Sequence, residues 1–399
     1  MQAITIVGAS LAGLRAAETL RRDGFDGTIT MIGDEPHRPY DRPPLSKQIL
    51  AGTWEPDRAP LATDESFDDL QLDWRLGVRA TGLDMGAGSV SLDDGGVVAH
   101  DGLIIATGAR CRTIPGTEDL GGVYTLRTLD DCLAIKADFD ATPRRVVVVG
   151  AGFIGAEVAA TAKELGLDVT MVEMAPVPFE RILGARMGQV CADVQHDHGV
   201  DLRTGVGVEA IEGGDRVERV VLTDGTVLEA DVVVVGVGVT PNTEWLEDSG
   251  LTIDNGVVCD ETCLAAPGVV AAGDVARWPN NRFDEIMRVE HWDNAVEQGV
   301  HAARRLLSGS AEAYTPVPWF WSDQFDRKIQ LAGRTRPDDQ VEIVTGSIEE
   351  RRFAAAYGRD GKLVGILGFN RPRHVMQYRG LMNDDASWDD AMAFARDSA

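Results

Sequence analysis

Apolar runs, small-residue turns and helix-forming stretches alternate along the first part of the chain. Ala3–Val7 is a short apolar run; Gly8-Ala9-Ser10-Leu11-Ala12-Gly13 follows, then the helix-forming stretch Leu14–Arg22 and a second apolar run, Thr28–Ile32. This order predicts strand, tight turn, helix and strand, a βαβ unit of about 30 residues. The pattern returns 142 residues later, where Arg145–Val149 leads into Gly150-Ala151-Gly152-Phe153-Ile154-Gly155, a predicted helix over Ala156–Leu165 and a predicted strand over Asp168–Val172. Three more apolar runs close on glycine turns: Leu103–Ile105 on Ala106-Thr107-Gly108, Val232–Val235 on Gly236-Val237-Gly238, and Val269–Ala272 on Gly273-Asp274. Strands without polar alternation suit parallel sheets covered on both faces. Later the pattern changes to separate strands, Ile329–Gly333, Glu342–Thr345, Arg352–Tyr357 and Leu363–Phe369, divided by turns such as Arg359-Asp360-Gly361. Helices are predicted after them, over Pro372–Leu381 and Trp388–Arg396.

Each βαβ unit carries the chemistry of a dinucleotide site. Glycines let the backbone approach a pyrophosphate, and the following helix offers its first N–H groups and its positive dipole end. In the first unit Gly8, Ser10, Leu11, Ala12 and Gly13 form the candidate cradle, with Ser10 in the place of the middle glycine. Asp34 and Glu35, after the second strand, are the candidate ribose acceptors. The second unit keeps all three glycines, Gly150, Gly152 and Gly155, with Phe153 and Ile154 between them, and Glu173 follows the last glycine by 18 residues. A carboxylate there accepts from ribose hydroxyls and repels a 2′-phosphate, so NADH is the expected nicotinamide cofactor. Arg181 is the nearest guanidinium that would weaken this preference. The predicted fold class is α/β, with two Rossmann-like dinucleotide-binding domains and a smaller α+β C-terminal domain.

Composition narrows the function. At 399 residues the chain can hold two or three domains of about 150 residues. With 38 basic and 64 acidic side chains the net charge is −26, which excludes a general nucleic-acid binder or a polybasic membrane-surface protein. The acidity fits either a protein that repels polyanions or one adapted to salt. The longest uncharged run, Met1–Leu14, falls short of the roughly 20 residues that a membrane span needs. No basic segment precedes it, so neither an anchor nor a signal peptide is expected, and the expected location is cytoplasmic. Cys111, Cys132, Cys191, Cys259 and Cys263 form a sparse, odd-numbered set without C-x-x-C, which fits a reducing compartment. No metal site, no cluster ligated by this chain and no internal redox dithiol are expected.

Four further stretches stand out: Arg38-Pro39-Tyr40-Asp41-Arg42-Pro43-Pro44-Leu45-Ser46-Lys47, Gly155-Ala156-Glu157, Glu290-His291-Trp292 and Trp319-Phe320-Trp321-Ser322-Asp323-Gln324. With these in view the chain resembles the two-dinucleotide flavoproteins related to glutathione reductase. Within them it most resembles the FAD-dependent, NADH-using ferredoxin reductases that serve haem-thiolate monooxygenases and Rieske oxygenases. The resemblance covers nearly the whole chain. It implies FAD and NADH as cofactors, Arg42 at the FAD pyrophosphate, and a Lys47–Glu157 ion pair beside flavin N5. It also implies that Ala106, Thr107, Gly108, Gly273 and Asp274 line the FAD site. Glu290, His291, Trp292 and Ala295 would then face the flavin pyrimidine edge, with Trp321 along the isoalloxazine. Gly236, Val237 and Gly238 would line the NADH site. Read without the resemblance, Lys47 fits a solvated helix residue, Glu157 an ordinary first-turn acid, and the tryptophans core packing.

Relatives of glutathione reductase pass electrons to a disulfide near the first helix. Here that region reads Leu45-Ser46-Lys47-Gln48-Ile49, without cysteine, so the electrons are expected to leave the chain for a 2Fe-2S ferredoxin. Rival readings are a rubredoxin or monodehydroascorbate reductase on the same scaffold, or a flavoprotein similar to apoptosis-inducing factor. The expected domains are 1–112 and 242–318 for FAD, 113–241 for NADH, and 319–399 as an interface domain. The charge is uneven: residues 301–399 hold 14 basic and 14 acidic side chains, so the whole excess lies in residues 1–300. Gly361 to Asn383 has no acid but carries Lys362, Arg371, Arg373 and Arg379. These arginines, with Arg327 and Lys328, are the expected docking patch for an acidic ferredoxin, unless they pair with the acidic body.

Overall fold

The computed structural model describes residues 1–141 and 143–397; Thr142, within the expected 113–241 segment, and the last two residues of the expected 319–399 segment lie outside the described residues. The chain divides into two compact units. One comprises Met1–Asp41, Ala59–Arg110 and Thr240–Pro318; the other comprises Arg42–Arg58, Cys111–Val239 and Trp319–Ala399. Residues 42–58, inside the stretch expected as 1–112, cluster with the second unit.

The first unit is built on a six-stranded sheet in the order Leu264–Ala266, Val269–Ala271, Gly102–Ile105, Ala3–Val7, Thr28–Gly33, Asp73–Leu76. Its neighbours run parallel except for the edge pair Leu264–Ala266 and Val269–Ala271. Ile4, Ile6, Leu103, Ile104 and Ile105 are fully buried, as strands apolar on both faces require. Two helices, Leu11–Arg22 and Trp292–Ser308, pack against each other. Because the strands are parallel, the turns at Gly8, Gly33-Asp34, Ala106 and Gly273 gather at their carboxyl ends, where open α/β sheets bind ligands.

The second unit repeats this arrangement. A parallel sheet runs in the order Asp201–Thr204, Asp168–Glu173, Arg145–Val149, Val232–Val235, Val123–Thr125. The unit also holds an antiparallel sheet ordered Trp319–Gln324, Arg327–Gly333, Lys362–Phe369, Arg352–Arg359, Gln340–Ser347, followed by helices Pro372–Asn383 and Trp388–Asp397. Leu183, Met187, Val190 and Val194 of the helix Glu180–Asp197 share a core with Ile329, Phe353, Leu367 and Phe369 of that sheet. Trp319–Gln324 is a fifth strand that the apolar pattern did not predict.

Helix starts also differ from expectation. The helices predicted from Leu14 and Ala156 begin at Leu11 and Phe153. Gly13 and Gly155 sit inside first turns because a Cβ there would lie 2.0 Å from the Gly8 carbonyl oxygen and 2.1 Å from the Gly150 carbonyl oxygen. Close helix-to-turn packing overrides the poor helix propensity of glycine.

Candidate functional site

The first glycine turn is shaped by contacts that leave no room for side chains. Gly8 has φ +124°, and a Cβ there would lie 2.0 Å from the Ala106 carbonyl oxygen. Its N–H donates to the Ile32 carbonyl at 2.8 Å, while the Ala106 N–H donates to the Val7 carbonyl at 2.7 Å. Ser10 has φ −127° and ψ −160°, extended backbone open to any residue, so this position needs no glycine. Ser10 forms no side-chain cap, which leaves the first N–H groups of Leu11–Arg22 open to an external acceptor. The Tyr40 hydroxyl donates to the Glu35 carboxylate, and Asp34 is exposed beside it.

Other candidates in the first unit are held by Asn242, Gln298 and Arg288, which were not candidates themselves, and by Asp41. Asn242 clamps the Thr107 turn: its Nδ2 donates to the Thr107 carbonyl at 2.9 Å, and Thr107 Oγ1 donates to the Asn242 carbonyl at 2.8 Å. The Gly273 N–H donates to Gln298 Oε1 at 2.9 Å. Arg288 donates to the Asp274 carbonyl at 2.9 Å and pairs with Glu290 at 2.8 Å. Trp292 Nε1 donates to Asp41 Oδ1 at 2.7 Å, fixing the indole at the start of its helix. His291 is the N-cap there and forms no side-chain cap. A Cβ on Gly273 would lie 3.1 Å from that of Ala12 and 4.0 Å from that of Ala295, so both helix starts converge on this turn. The uncapped Leu11 helix start beside a bare glycine turn fits a large dinucleotide such as FAD.

The second turn follows the first bond for bond. Gly150 has φ +100°, its N–H donates to the Val172 carbonyl at 2.8 Å, and the Gly236 N–H donates to the Val149 carbonyl at 2.7 Å. A Cβ on Gly150 would lie 2.4 Å from the Gly236 carbonyl oxygen. Gly152 is an N-cap without a side-chain bond. The Glu173 carboxylate accepts from the Ala151 and Ala175 N–H groups, both at 2.8 Å, one on each oxygen. Each oxygen keeps a lone pair, so the residue fits a ribose diol. Ile154, Val237 and Met174 are 47%, 40% and 73% exposed, an apolar rim suited to nicotinamide and adenine faces. Gly238 is exposed beside Val237, and Arg181 is exposed on Glu180–Asp197. The Phe153 ring stacks on Phe179 at 4.1 Å and meets Phe320 edge-on at 4.4 Å.

Lys47 and Glu157 form an ion pair at 2.7 Å, 110 residues apart in sequence. Pro43–Ser46 is a short 3₁₀ turn that ends on Lys47, while Glu157 lies in the helix Phe153–Glu164. Glu157 is only 3% exposed, and both oxygens are fully engaged. One oxygen accepts from Lys47 and from the Ser46 hydroxyl at 2.5 Å; the other accepts from the Ser322 hydroxyl at 2.8 Å and the Asp323 N–H at 3.2 Å. Arg42 donates to the Arg127 carbonyl at 2.5 Å. Trp321 stacks on Trp319, with ring centres 5.2 Å apart. The Cys132 thiol donates to the Leu45 carbonyl at 3.1 Å, and burial pushes it up to about 12, so it stays a protonated thiol. All five cysteines are free, and no cluster of metal-ligating side chains occurs among the described residues.

The expected basic patch is only partly assembled. Arg327 pairs with Asp326 at 2.7 Å and Lys328 with Asp323 at 3.1 Å, so adjacent acids offset both charges. Arg371 caps the helix Pro372–Asn383, Arg373 is exposed in its first turn, and Arg379 lies in its last part. His374 is held below its usual range by burial first and then by the charges of Arg371 and Arg373. Among the described residues no helix is long and apolar enough to cross a membrane.

Comparison with known proteins agrees with this architecture. Residues 2–299 match the pyridine nucleotide-disulphide oxidoreductase family and residues 319–398 the reductase C-terminal family. Rhodocoxin reductase of Rhodococcus erythropolis is 40% identical over 385 residues, covering 95% of this chain and 89% of that protein. The ferredoxin reductase for the CYP199A2 system of Rhodopseudomonas palustris has a TM-score of 0.92 at 39% identity, covering 97% and 96% of the two chains. The reductase in the covalent putidaredoxin reductase–putidaredoxin complex also gives 0.92, at 32% identity over 96% and 93%. The chain therefore belongs to the pyridine nucleotide-disulphide oxidoreductase family, as a flavoprotein reductase with a reductase C-terminal region.

Proposed function

We propose that this chain is an NADH-dependent reductase of a 2Fe-2S ferredoxin that serves a haem-thiolate monooxygenase or a Rieske oxygenase. In this reading residues 1–112 and 242–318 hold FAD, residues 113–241 hold NADH, and residues 319–399 face the ferredoxin. FAD held there would supply the hydride-accepting and single-electron-releasing chemistry that links NADH to a ferredoxin. The chain's own part is to bind, orient and tune. Gly8, the Leu11 helix start and Arg42 serve the FAD pyrophosphate, and Glu35 its ribose. The helix beginning at Trp292 directs its positive end toward the pyrimidine edge, favouring negative charge there. Lys47, aimed by Glu157, places an ammonium at N5. Gly150, the Phe153 helix start and Glu173 serve NADH.

The observation that carries this reading is the duplicated turn, with the same hydrogen bonds, the same uncapped helix start and an acid after the second strand in both copies. The solved complex of the similar putidaredoxin reductase with putidaredoxin supports a ferredoxin as the electron acceptor. The acid-free stretch that carries Arg371 and Arg373 supports docking there. The test is NADH oxidation by the flavin-loaded protein, first with ferricyanide and then with cytochrome c plus candidate ferredoxins. Cytochrome c turnover that requires a 2Fe-2S protein supports the proposal; fast rubredoxin reduction with no ferredoxin dependence sinks it. Lys47→Ala should slow flavin reduction in stopped-flow absorbance while FAD stays bound, and unchanged reduction removes Lys47 from N5.

A further inference from the structure

We propose that Ser322 and Gln324 are positioning residues for the Lys47–Glu157 pair, so that the strand Trp319–Gln324 sets the aim of the Lys47 ammonium. The inference deepens the reading above and rests on it for its catalytic meaning. Its geometry stands within the second unit alone. Glu157 receives two donors from residues 46–47 on one oxygen and two from residues 322–323 on the other. A carboxylate held at both oxygens cannot rotate about its terminal bond without giving up bonds on each side.

The Ser322 hydroxyl has a fixed direction. Gln195 Nε2 donates to Gln324 Oε1 at 2.9 Å, Gln324 Nε2 donates to Ser322 Oγ at 3.1 Å, and Ser322 donates to Glu157. Gln324 and Ser322 each accept from the group behind and donate to the group ahead, and the relay ends on the anion. With Gln324 already donating to it, the Ser322 hydroxyl directs its proton to Glu157. Ser322 and Gln324 are 0% exposed, Gln195 1% and Glu157 3%, so water does not substitute for a lost donor. The resulting hierarchy separates positioning from mere packing. Packing defects cost comparable amounts wherever a buried amide is lost, whereas loss of aim declines with each step from Glu157.

The experiment uses the flavin-loaded protein and the variants Ser322→Ala, Ser322→Thr, Gln324→Met and Gln195→Met. Only five lysines occur in the chain, so ¹⁵N-lysine labelling with a Lys47→Arg control identifies the Lys47 ammonium signal. The expected result is faster solvent exchange of that signal in Ser322→Ala, by about tenfold, less in Gln324→Met and least in Gln195→Met. The limiting rate of flavin reduction should fall in the same order with unchanged NADH affinity, and Ser322→Thr, which keeps the hydroxyl, should restore both. Equal effects in all three deletions, or no change in ammonium exchange in Ser322→Ala, overturns the inference. If exchange follows the predicted order while Lys47→Ala reduces flavin normally, positioning stands and the N5 reading fails.

Discussion

Replacing Glu157 by glutamine tests whether this carboxylate is a structural anion with no slack. The substitution keeps shape and removes one acceptor. Both oxygens accept two bonds, so whichever becomes NH₂ confronts two donors: Lys47 and Ser46 on one side, or Ser322 and the Asp323 N–H on the other. The ammonium also loses its counter-charge at a site where the Lys47 side chain is 13% exposed. Removing one member of a buried pair costs about 3–5 kcal/mol, most of it the stranded partner. At about 2–4 °C per kcal/mol for a unit of this size, Glu157→Gln should lower the calorimetric melting temperature by at least about 6 °C. Adding Lys47→Met should restore more than half of that loss. The new amide can then face the methionine and donate to Ser46 Oγ. A Glu157→Gln protein melting within about 1 °C of the parent, or a double variant whose losses simply add, refutes the account.

Three more expectations follow from other parts of the molecule. Glu173→Ala should raise the KM for NADH about tenfold and relax discrimination against NADPH, because ribose hydroxyls lose their acceptor and a 2′-phosphate loses its repulsion; unchanged preference in steady-state kinetics counts against it. Reversing Arg371 and Arg373 to Glu should slow ferredoxin reduction at low salt, with the difference fading near 1 M, where charges are screened beyond about 3 Å; ferricyanide reduction should stay intact. Burial pushes the Cys132, Cys191 and Cys259 thiols up to about 12, so the folded chain holds protons that the unfolded chain has lost. Stability is therefore full below about pH 9 and falls toward pH 12, by up to about 1.4 kcal/mol per pH unit for each thiol. Urea midpoints should show this decline, shallower in Cys191→Ala.

The glycine turns were legible because their demands are local. Gly8 and Gly150 sit at positive φ against a carbonyl, and only one residue type meets that demand, so the spacing survives in the sequence. The fully apolar strands announced parallel sheets for the same reason. Helix starts were misplaced because Gly13 and Gly155 look like breakers until the turn that covers them is in place. The Lys47–Glu157 pair entered only through family resemblance, since nothing in either neighbourhood marks a partner 110 residues away. Ser46, Ser322 and Gln324 lay within stretches that carried the resemblance and Gln195 in none, but the role of each depends on long-range meetings that residue type alone does not reveal. The strand Trp319–Gln324 was missed because four bulky or acidic residues hide its alternation, although Trp319 and Trp321 on one face and Ser322 and Gln324 on the other obey period two.

That alternation has a consequence for how the chain can vary. Trp319–Gln324 turns back at once through Phe325-Asp326 into Arg327–Gly333, with Gln324 opposite Arg327 and Ser322 opposite Ile329. A one-residue insertion or deletion in the strand would exchange its two faces, sending the hydroxyl and amide outward and an indole toward the Glu157 carboxylate. Length changes in this hairpin should therefore be tolerated only in even steps or beyond the turn. Parity, in addition to residue identity, is a constraint this edge of the sheet imposes.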